Sequence, residues 1–295
     1  MRGSFKVLAC YLMWAFLVLY WPIFGAMDPL AVLSFRIVFS MIFCLIIMLV
    51  KGKGRDILAL MKDKKQMLFL FFAGVTVTIN WGGYIIAVMT GRVLDASLAY
   101  YMYPIFSIVL GFIIYKEKLR PMQWVAFALA IMGVTVPIVA YGQVPIFAIM
   151  IGVSFSIYGA IKKQVTATAM ESIFMETLLV TPLAMIYLLA FSHLDGLSAR
   201  DIILLPTMGI ATTVPLIFFA SGMKDTDLSV AGVLMYINPT IQLLLGVFCM
   251  GEEFTTIHAW MFAFVWAGVA LFLTDTFRQK KKRPWSKNNR QLRFT

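Results

Sequence analysis

Charged residues are scarce in this chain of 295 residues, where Asp, Glu, Lys and Arg together make up 13%. A soluble domain carries about 25% charged residues. Hydrophobic residues reach 61%, and a single soluble core, which stops growing near ~250–300 residues, could not hide so much apolar surface. The composition therefore excludes a soluble enzyme and a disordered protein, and it indicates a polytopic membrane protein.

Cysteine and histidine are also rare. The three cysteines, Cys10, Cys44 and Cys249, lie in apolar runs without ligand spacing, which excludes a disulfide scaffold and predicts no metal site. The two histidines, His193 and His258, are far apart, and there is no His-Glu-x-x-His motif and no glycine-rich phosphate loop. We therefore expect no catalytic residue, no cofactor and no enzymatic activity, and the short loops leave no room for a nucleotide-binding domain.

Long apolar runs dominate the chain instead. A bilayer core of about 30 Å needs roughly 20 apolar residues per helix. Ten windows meet this requirement: 6–25, 30–50, 67–88, 94–115, 121–140, 145–163, 172–192, 202–222, 229–250 and 256–276. The runs have helical length and lack the alternation of a barrel strand, so the sequence predicts an all-α polytopic membrane protein with ten transmembrane helices.

The distribution of the cations predicts the orientation. If the N-terminus is inside, all but three of the 25 Lys and Arg residues fall on the inner side, the exceptions being Arg36, Arg92 and Arg200. Cytoplasmic loops retain Lys and Arg, so both termini are expected in the cytoplasm of a bacterial inner membrane. The net charge of +11 then reflects topology and not nucleic-acid binding. The basic tail, 278–295, is either an orientation signal or a contact for anionic lipid.

The second half of the chain repeats the first. An ungapped alignment of 78–134 with 213–269 gives identities that include Ala96 with Ala231, Tyr101 with Tyr236, Pro104 with Pro239, Gly111 with Gly246, Glu117 with Glu252 and Gly133 with Gly268. Each copy contains five spans, and since five is odd, the second copy enters the membrane from the opposite face. The sequence thus predicts one repeat over 1–140, an inverted repeat over 141–277 and the tail. Inverted repeats around a central site are typical of transporters.

Two stretches carry a family resemblance: NWGGYIIAVMTGRVLDASLAYYMYPIFSIVLGF in the first half and SGMKDTDLSVAGVLMYINPTIQLLLGVFCMGEE in the second. Both resemble the RarD branch of the EamA-type transporters, which belong to the drug/metabolite transporter superfamily. The resemblance implies ten helices in two inverted halves around a central cavity, and permeation of small molecules. The family's Asn-Pro and Gly-Glu pairs are Tyr103-Pro104 and Lys116-Glu117 in the first half, whereas the second half keeps both.

Two charged side chains fall inside predicted spans. Arg36 lies about six residues into the second span and Glu176 about four residues into the seventh. Such residues are costly in a bilayer and point to function or to a buried pair. The spans run in opposite directions, so about 10–15 Å separates the two Cα levels, and we expect separate roles near the cavity. Arg36 would bind a carboxylate or phosphate and Glu176 an ammonium or a proton. The alternative is that both cap helix ends or hydrogen-bond to loop carbonyls.

Further polar and aromatic residues complete the predicted site. Pro104 and Pro239, near the middle of their spans, are expected to free the carbonyls of Tyr100 and Met235 and to act as hinges, or else merely as packing kinks. Trp21 is assigned to packing or an interface. The predicted substrate contacts are Trp14, Arg36, Asn80, Trp81, Tyr84, Tyr101, Tyr158, Glu176, Tyr236, Asn238 and Gln242.

Secondary transport is the function that these patterns favour. The expected substrates are small polar or amphiphilic metabolites such as amino acids, moved by alternating access with or without proton coupling through Glu176. The alternative is a multidrug or lipid-linked exporter, for which a Met- and aromatic-rich interior would form an adaptable pocket. The protein is expected to be a monomer or a weak dimer.

Overall fold

The structure is a computed structural model, which describes residues 2–25, 27–116, 120–142, 145–162, 164–192, 197–223 and 234–282. Its α-helices are α1 (Arg2–Tyr20), α2 (Pro29–Val50), α3 (Gly54–Lys62), α4 (Lys64–Met89), α5 (Val93–Tyr115), α6 (Pro121–Tyr141), α7 (Ile146–Lys162), α8 (Ala169–Ala190), α9 (Ala199–Leu204), α10 (Thr207–Met223), α11 (Ile237–Cys249) and α12 (Thr256–Lys282). A 3-10 turn, Trp21–Phe24, follows α1. No strand occurs within these described ranges, which confirms the all-helical class.

Local capping signals set several helix boundaries. Asp28 accepts a hydrogen bond from the Ala31 amide, and Pro29 occupies the first position of α2, where a missing N–H costs nothing. At the start of α8, Thr168 and Glu171 form a capping box. Gly142 ends α6 with a φ of 64°, a left-handed conformation that glycine adopts without strain.

Within the described part of the chain, six helical segments are long and apolar enough to cross a membrane: Gly3–Phe24, Pro29–Val50, Lys64–Met89, Pro121–Ala140, Ala169–Ala190 and Ala199–Phe219. Three shorter helices, Ile146–Lys162, Ile237–Cys249 and Thr256–Phe272, are also apolar. The window 202–222 spans α9 and α10, which are separated by a turn at Leu205 and Pro206. Large apolar side chains such as Val139, Leu189 and Phe248 are exposed on the helices, as expected for surfaces that face lipid.

By internal contacts the chain divides into two compact units. Unit 1 comprises residues 1–117 and 144–255. In it α5 packs on α7, α2 on α8, α4 on α7 and α1 on α10. One cluster of its core contains Cys44, Met48, Leu70 and Met175, and another contains Cys10 beside Val7. The two buried cysteines therefore serve as apolar packing residues.

Unit 2 comprises residues 118–143 and 256–295, and within it α6 packs along α12. Two glycines, Gly133 and Gly268, lie at this contact. A Cβ on Gly268 would come within 2.7 Å of the Ala126 carbonyl oxygen, and one on Gly133 within 3.0 Å of the Met261 carbonyl oxygen. The missing side chains therefore let the two helices approach closely.

Candidate functional site

A cavity of about 310 Å³ lies inside unit 1. Eight helices contribute to its lining: α1, α2, α4, α5, α7, α8, α10 and α11. The residues that line it are Tyr11, Trp14, Leu17, Trp21, Arg36, Val77, Asn80, Trp81, Tyr84, Tyr100, Tyr103, Phe155, Tyr158, Gly159, Lys162, Ala169, Ile173, Glu176, Thr212, Leu216, Phe219, Met235, Asn238, Pro239 and Gln242. The volume lies at the lower end of the range for small-molecule sites, which suits a small ligand.

Aromatic rings form much of the cavity wall. Trp14 packs against Tyr11 and Phe219, with ring centroids 5.9 and 6.0 Å apart. On another side, Phe155 stacks on Tyr158 at 5.9 Å and packs against Tyr103 at 5.0 Å. Such rings offer large, rigid contact surfaces for an apolar or aromatic ligand group.

Arg36 is the buried cation of the site, with 6% of its surface exposed. Its Nε donates to Thr212 Oγ1 at 3.1 Å. Its Cζ lies 4.2 Å from the ring centroid of Trp81 and 4.7 Å from that of Trp21. No carboxylate of the described residues lies within ion-pair distance of it.

These contacts offset the cost of burying Arg36 without neutralising its charge. A charged side chain at the bilayer centre costs about 2.5–3.5 kcal/mol on insertion scales. Each cation–π contact contributes about 1–2 kcal/mol in a desolvated setting. The rings supply no hydrogen-bond acceptor, so the guanidinium keeps the capacity to bind an anion.

Glu176 is held by three neighbours. Its carboxylate pairs with Lys162 Nζ at 2.7 Å and accepts hydrogen bonds from Ser172 Oγ at 2.5 Å and Tyr158 Oη at 3.0 Å. Lys162 also donates to Ser172, and its ammonium lies 5.5 Å from the ring centroid of Tyr158. Arg36 and Glu176 thus have separate partners, and the ammonium that Glu176 binds belongs to the chain itself.

Several polar atoms of the lining are buried without a hydrogen-bond partner. They are Trp21 Nε1, Tyr84 Oη, Asn238 Oδ1 and Gln242 Oε1. Buried polar groups are normally hydrogen-bonded, so unpartnered groups on a cavity wall indicate ligand contacts or water. Asn80 differs, because its Nδ2 donates to the Ile151 carbonyl at 2.9 Å and ties α4 to α7.

The contact between α5 and α11 accounts for the remaining predicted residues. Tyr101 and Tyr236 lie outside the lining; their rings stack at 6.2 Å, and Tyr101 Oη shares a hydrogen bond of 2.5 Å with Thr240 Oγ1. Ser97 Oγ donates to the Pro239 carbonyl at 2.7 Å. These contacts fasten the two helices together.

Pro239 lies near the start of a helix in the structure. Helix α11 begins at Ile237, after a turn at Tyr236, so Pro239 lies in the first helical turn and not in a helix interior. Proline is tolerated there because the first N–H groups of a helix have no intrahelical partner. Pro104 lies within α5, and the hinge roles of both prolines stay predictions.

Glu252 fastens the same two helices at one end. Its carboxylate accepts hydrogen bonds from the backbone amides of Val93 and Leu94, the latter at 2.8 Å, and so caps the N-terminus of α5. Burial raises the pKa of Glu252, although the two amide hydrogen bonds act in the opposite direction. Its repeat partner, Glu117, lies outside the described residues.

The exposure of the lining changes from one end of the cavity to the other. Trp21 is fully buried and Arg36 nearly so, whereas Lys162 is half-buried and Ala169 is exposed. Among these lining residues the exposed fraction is therefore lowest at Trp21 and Arg36 and highest at Ala169, next to Lys162.

Comparison with known proteins identifies the kind of protein that carries this cavity. The sequence profile of the EamA-like transporter family matches residues 1–138 and 144–274. The chain belongs to the EamA-like transporter family. It is 35% identical to an uncharacterized transporter of Bacillus subtilis, YojE, over 98% of both chains, and 32% identical to the protein RarD of Escherichia coli over 95% of this chain and 97% of that one.

This EamA-like chain is accordingly a multi-pass membrane transporter of the drug/metabolite transporter superfamily, with RarD proteins among its homologues. A crystal structure superposes on it with a TM-score of 0.62 at 19% identity, covering 91% of this chain and 96% of the other. At that identity the likeness supports the fold alone.

The structure gathers most of the residues that the sequence singled out in this EamA-like protein. Trp14, Arg36, Asn80, Trp81, Tyr84, Tyr158, Glu176, Pro239, Asn238 and Gln242 all line the cavity. Lining residues that the sequence did not place in the site include Lys162, counted among the inner-side cations, Trp21, assigned to packing or an interface, and Thr212, given no role. Trp21 is fully buried, as expected for a packing residue, and its ring also lies over the Arg36 guanidinium. The Lys162 side chain had one signal, its position four residues after Tyr158 on one face of α7.

Proposed function

We propose that this chain is a secondary transporter of the bacterial cytoplasmic membrane that moves small polar or amphiphilic metabolites, among them amino acids and related acids and amines. The observation that carries the proposal is the cavity in unit 1, where a buried, unneutralised Arg36 meets unpartnered polar atoms and aromatic rings. A packing core would not keep such groups unpaired, because each one costs free energy unless something binds it.

The proposed mechanism is alternating access by two inverted five-helix repeats. The family profile matches the chain in two segments of similar length, 1–138 and 144–274, which supports a division near residue 140. The lining supports it as well, since α1, α2, α4 and α5 of the first segment and α7, α8, α10 and α11 of the second all contribute. With ten spans and both termini in the cytoplasm, the accessible end beside Lys162 faces inward and the Glu252 cap closes the outer side.

The tail 278–295 is proposed to contact anionic lipid through its Lys and Arg residues, of which those after 282 lie outside the described residues. The protein is proposed to act as a monomer or a weak dimer.

Counterflow in proteoliposomes tests the transport proposal directly. Vesicles containing the purified chain are loaded with unlabelled metabolite pools and assayed for uptake of radiolabelled members of each pool. We expect saturable, trans-stimulated uptake of at least one pool, absent from empty vesicles. Uptake that no loaded pool stimulates would count against an alternating-access carrier.

Cysteine accessibility tests the two-sided mechanism. In a Cys249→Ser background the remaining cysteines are buried, so Ala169→Cys reports on the accessible end and Leu94→Cys on the end closed by Glu252. A transported ligand is expected to change labelling of the two positions in opposite directions. A change in the same direction at both positions would refute alternating access.

A multidrug or lipid-linked exporter is the second candidate. The observation that favours it is the amount of aromatic and aliphatic surface in the lining, including Trp14, Phe155, Phe219 and Met235. Selective stabilisation of the purified protein by hydrophobic cations, without any response to metabolites, would favour this candidate over the first.

A further inference from the structure

The charges of the cavity do not balance. Three charged side chains line it, and two of them, Lys162 and Glu176, neutralise each other at 2.7 Å. Glu176 Oε1 is occupied by Lys162 and Ser172, and Oε2 by Tyr158. The negative charge of Glu176 is thus already neutralised within the chain, so the net charge left for a ligand is the single positive charge of Arg36.

The contacts of Arg36 leave its two terminal nitrogens able to donate hydrogen bonds to a ligand. Nε is engaged by Thr212, and the rings of Trp21 and Trp81 lie 4.7 and 4.2 Å from Cζ. The rings hold the guanidinium in place but accept no N–H hydrogen bond in its plane. A planar guanidinium held in this way matches the two oxygens of a carboxylate, which it binds with two parallel hydrogen bonds.

The unpartnered atoms of the lining are all uncharged. Tyr84 Oη and Trp21 Nε1 can donate, whereas Asn238 Oδ1 and Gln242 Oε1 can accept. Each of these residues is more than nine-tenths buried. They fit neutral hydrogen-bonding groups on the body of a ligand and provide no second charged contact. The aromatic walls and the volume of about 310 Å³ favour a body about the size of one substituted ring.

We propose that the cavity binds small monocarboxylates with an aromatic body, with the carboxylate on Arg36 and the ring against the aromatic wall. This inference rests on the proposed transport function and names the substrate class of the same site. It ranks the candidates of that proposal: a carboxylic acid without an α-ammonium fits better than an amino acid, and an amine fits worst. In the zwitterion the ammonium finds only neutral amide oxygens and ring faces.

A ligand series of constant skeleton tests the ranking. The probes are 3-phenylpropanoate, phenylalanine and 3-phenylpropylamine, whose net charges are −1, 0 and +1, together with propanoate, which lacks the ring. Binding to the purified full chain in detergent is measured by calorimetry and by the shift in thermal unfolding. We expect 3-phenylpropanoate to bind most tightly, phenylalanine roughly 10-fold or more weakly, and neither the amine nor propanoate to bind in the same range.

Substitutions at Arg36 locate the charge contact. Arg36→Gln is expected to weaken 3-phenylpropanoate binding by roughly 10- to 100-fold, the range for a lost charge-assisted hydrogen bond. Arg36→Lys keeps the charge without the planar fork and is expected to lie between. The matched control is Arg92→Gln, because Arg92 also lies over an aromatic ring, that of Phe147 at 4.9 Å, but is exposed and outside the lining. It should leave binding unchanged.

If the Arg36 variants do not fold, Thr212→Val provides a second test. It removes the acceptor of Nε and leaves the charge, so we expect a several-fold loss of affinity for 3-phenylpropanoate and none for a neutral aromatic amide of the same length.

Two results would overturn the inference. One is tighter binding of phenylalanine or the amine than of the acid; the other is acid binding that survives Arg36→Gln in a folded protein. Because the series is measured in detergent, its result is separate from transport. Acid binding without flux would refute the transport proposal alone, whereas flux of other metabolites without acid binding would refute the substrate class alone.

Discussion

Removing the ammonium that neutralises Glu176 is the most informative perturbation of the site. Glu176 is almost completely buried, with 3% of its side chain exposed, and it pairs with Lys162 at 2.7 Å. Lys162→Met keeps most of the aliphatic length of the side chain and removes only the charge. The remaining donors to the carboxylate, Ser172 and Tyr158, are neutral hydroxyl groups.

The expected cost follows from the difference in exposure between the two partners. Breaking a fully buried pair costs about 3–5 kcal/mol because the remaining charge has no compensation. The Lys162 side chain is 25% exposed, so water already screens part of the interaction, and we expect a loss of about 2 kcal/mol for Lys162→Met. Glu176→Gln should cost about half as much, since the ammonium left behind can reach water.

A double-mutant cycle separates the pair from its surroundings. Lys162→Met combined with Glu176→Gln contains no unpaired buried charge, so we expect the double variant to be more stable than Lys162→Met alone. The free energies of unfolding are obtained from denaturant titrations of the four proteins in one detergent, followed by the fluorescence of the cavity tryptophans. A coupling free energy of about 1–2 kcal/mol is expected.

The cycle also tests whether Glu176 carries protons. If the pair is structural, the folded double variant retains counterflow, and its uptake responds to an imposed pH gradient as the wild type does. If the double variant loses as much unfolding free energy as the two single variants lose together, the buried-pair reasoning is refuted. Loss of the response to the pH gradient with counterflow intact would instead assign proton coupling to Glu176.

Three further predictions address other contacts. Burial raises the pKa of Glu252, so the folded state binds this proton more tightly than the unfolded state, and the contribution of Glu252 to stability falls as the pH rises from 4.5 to the raised pKa. Glu252→Gln should remove this pH dependence of the thermal unfolding temperature. An unchanged pH dependence in the variant would contradict the assignment. Gly268→Val should destabilise the protein by about 1–3 kcal/mol through its clash with α6, whereas Ala267→Val on the exposed face should be neutral. Thr212→Val should double or triple the KM of a carboxylate substrate through Arg36 while kcat changes little, and the opposite split would show that Thr212 acts on the conformational step.

The helices could be predicted because the signal for a membrane span is local. A run of about 20 apolar residues satisfies the bilayer wherever the rest of the chain lies, so each window is readable by itself. Arg36 and Glu176 stood out for the same reason, since a charge within such a run is costly. The turn that separates α9 from α10 was missed because Pro206 lies near the beginning of its window, where a span could equally well begin.

The partners of these charges could not be predicted, because each pairing depends on tertiary structure. Thr212 lies 176 positions from Arg36, and a threonine inside an apolar run carries no signal by itself. Lys162 was counted as a topology signal because it ends a span, although the same position brings it to Glu176 on the facing helix. Glu252 likewise caps a helix that begins 159 positions earlier in the chain.

Arg36 contacts elements of both repeats of the proposed transporter, so a ligand bound to Arg36 can affect the position of both. Arg36 lies on α2, and its contacts come from three other elements: the 3-10 turn after α1 through Trp21, α4 through Trp81 and α10 through Thr212. A ligand shifts a conformational equilibrium only by as much as its affinity differs between the states. If opening the Trp21 end separates α2 from α10, that movement would break the Nε hydrogen bond and hydrate the guanidinium. The affinity of an anion for Arg36 would then differ between the two states. The deepest contact of the ligand would then be the contact most sensitive to which end of the cavity is open.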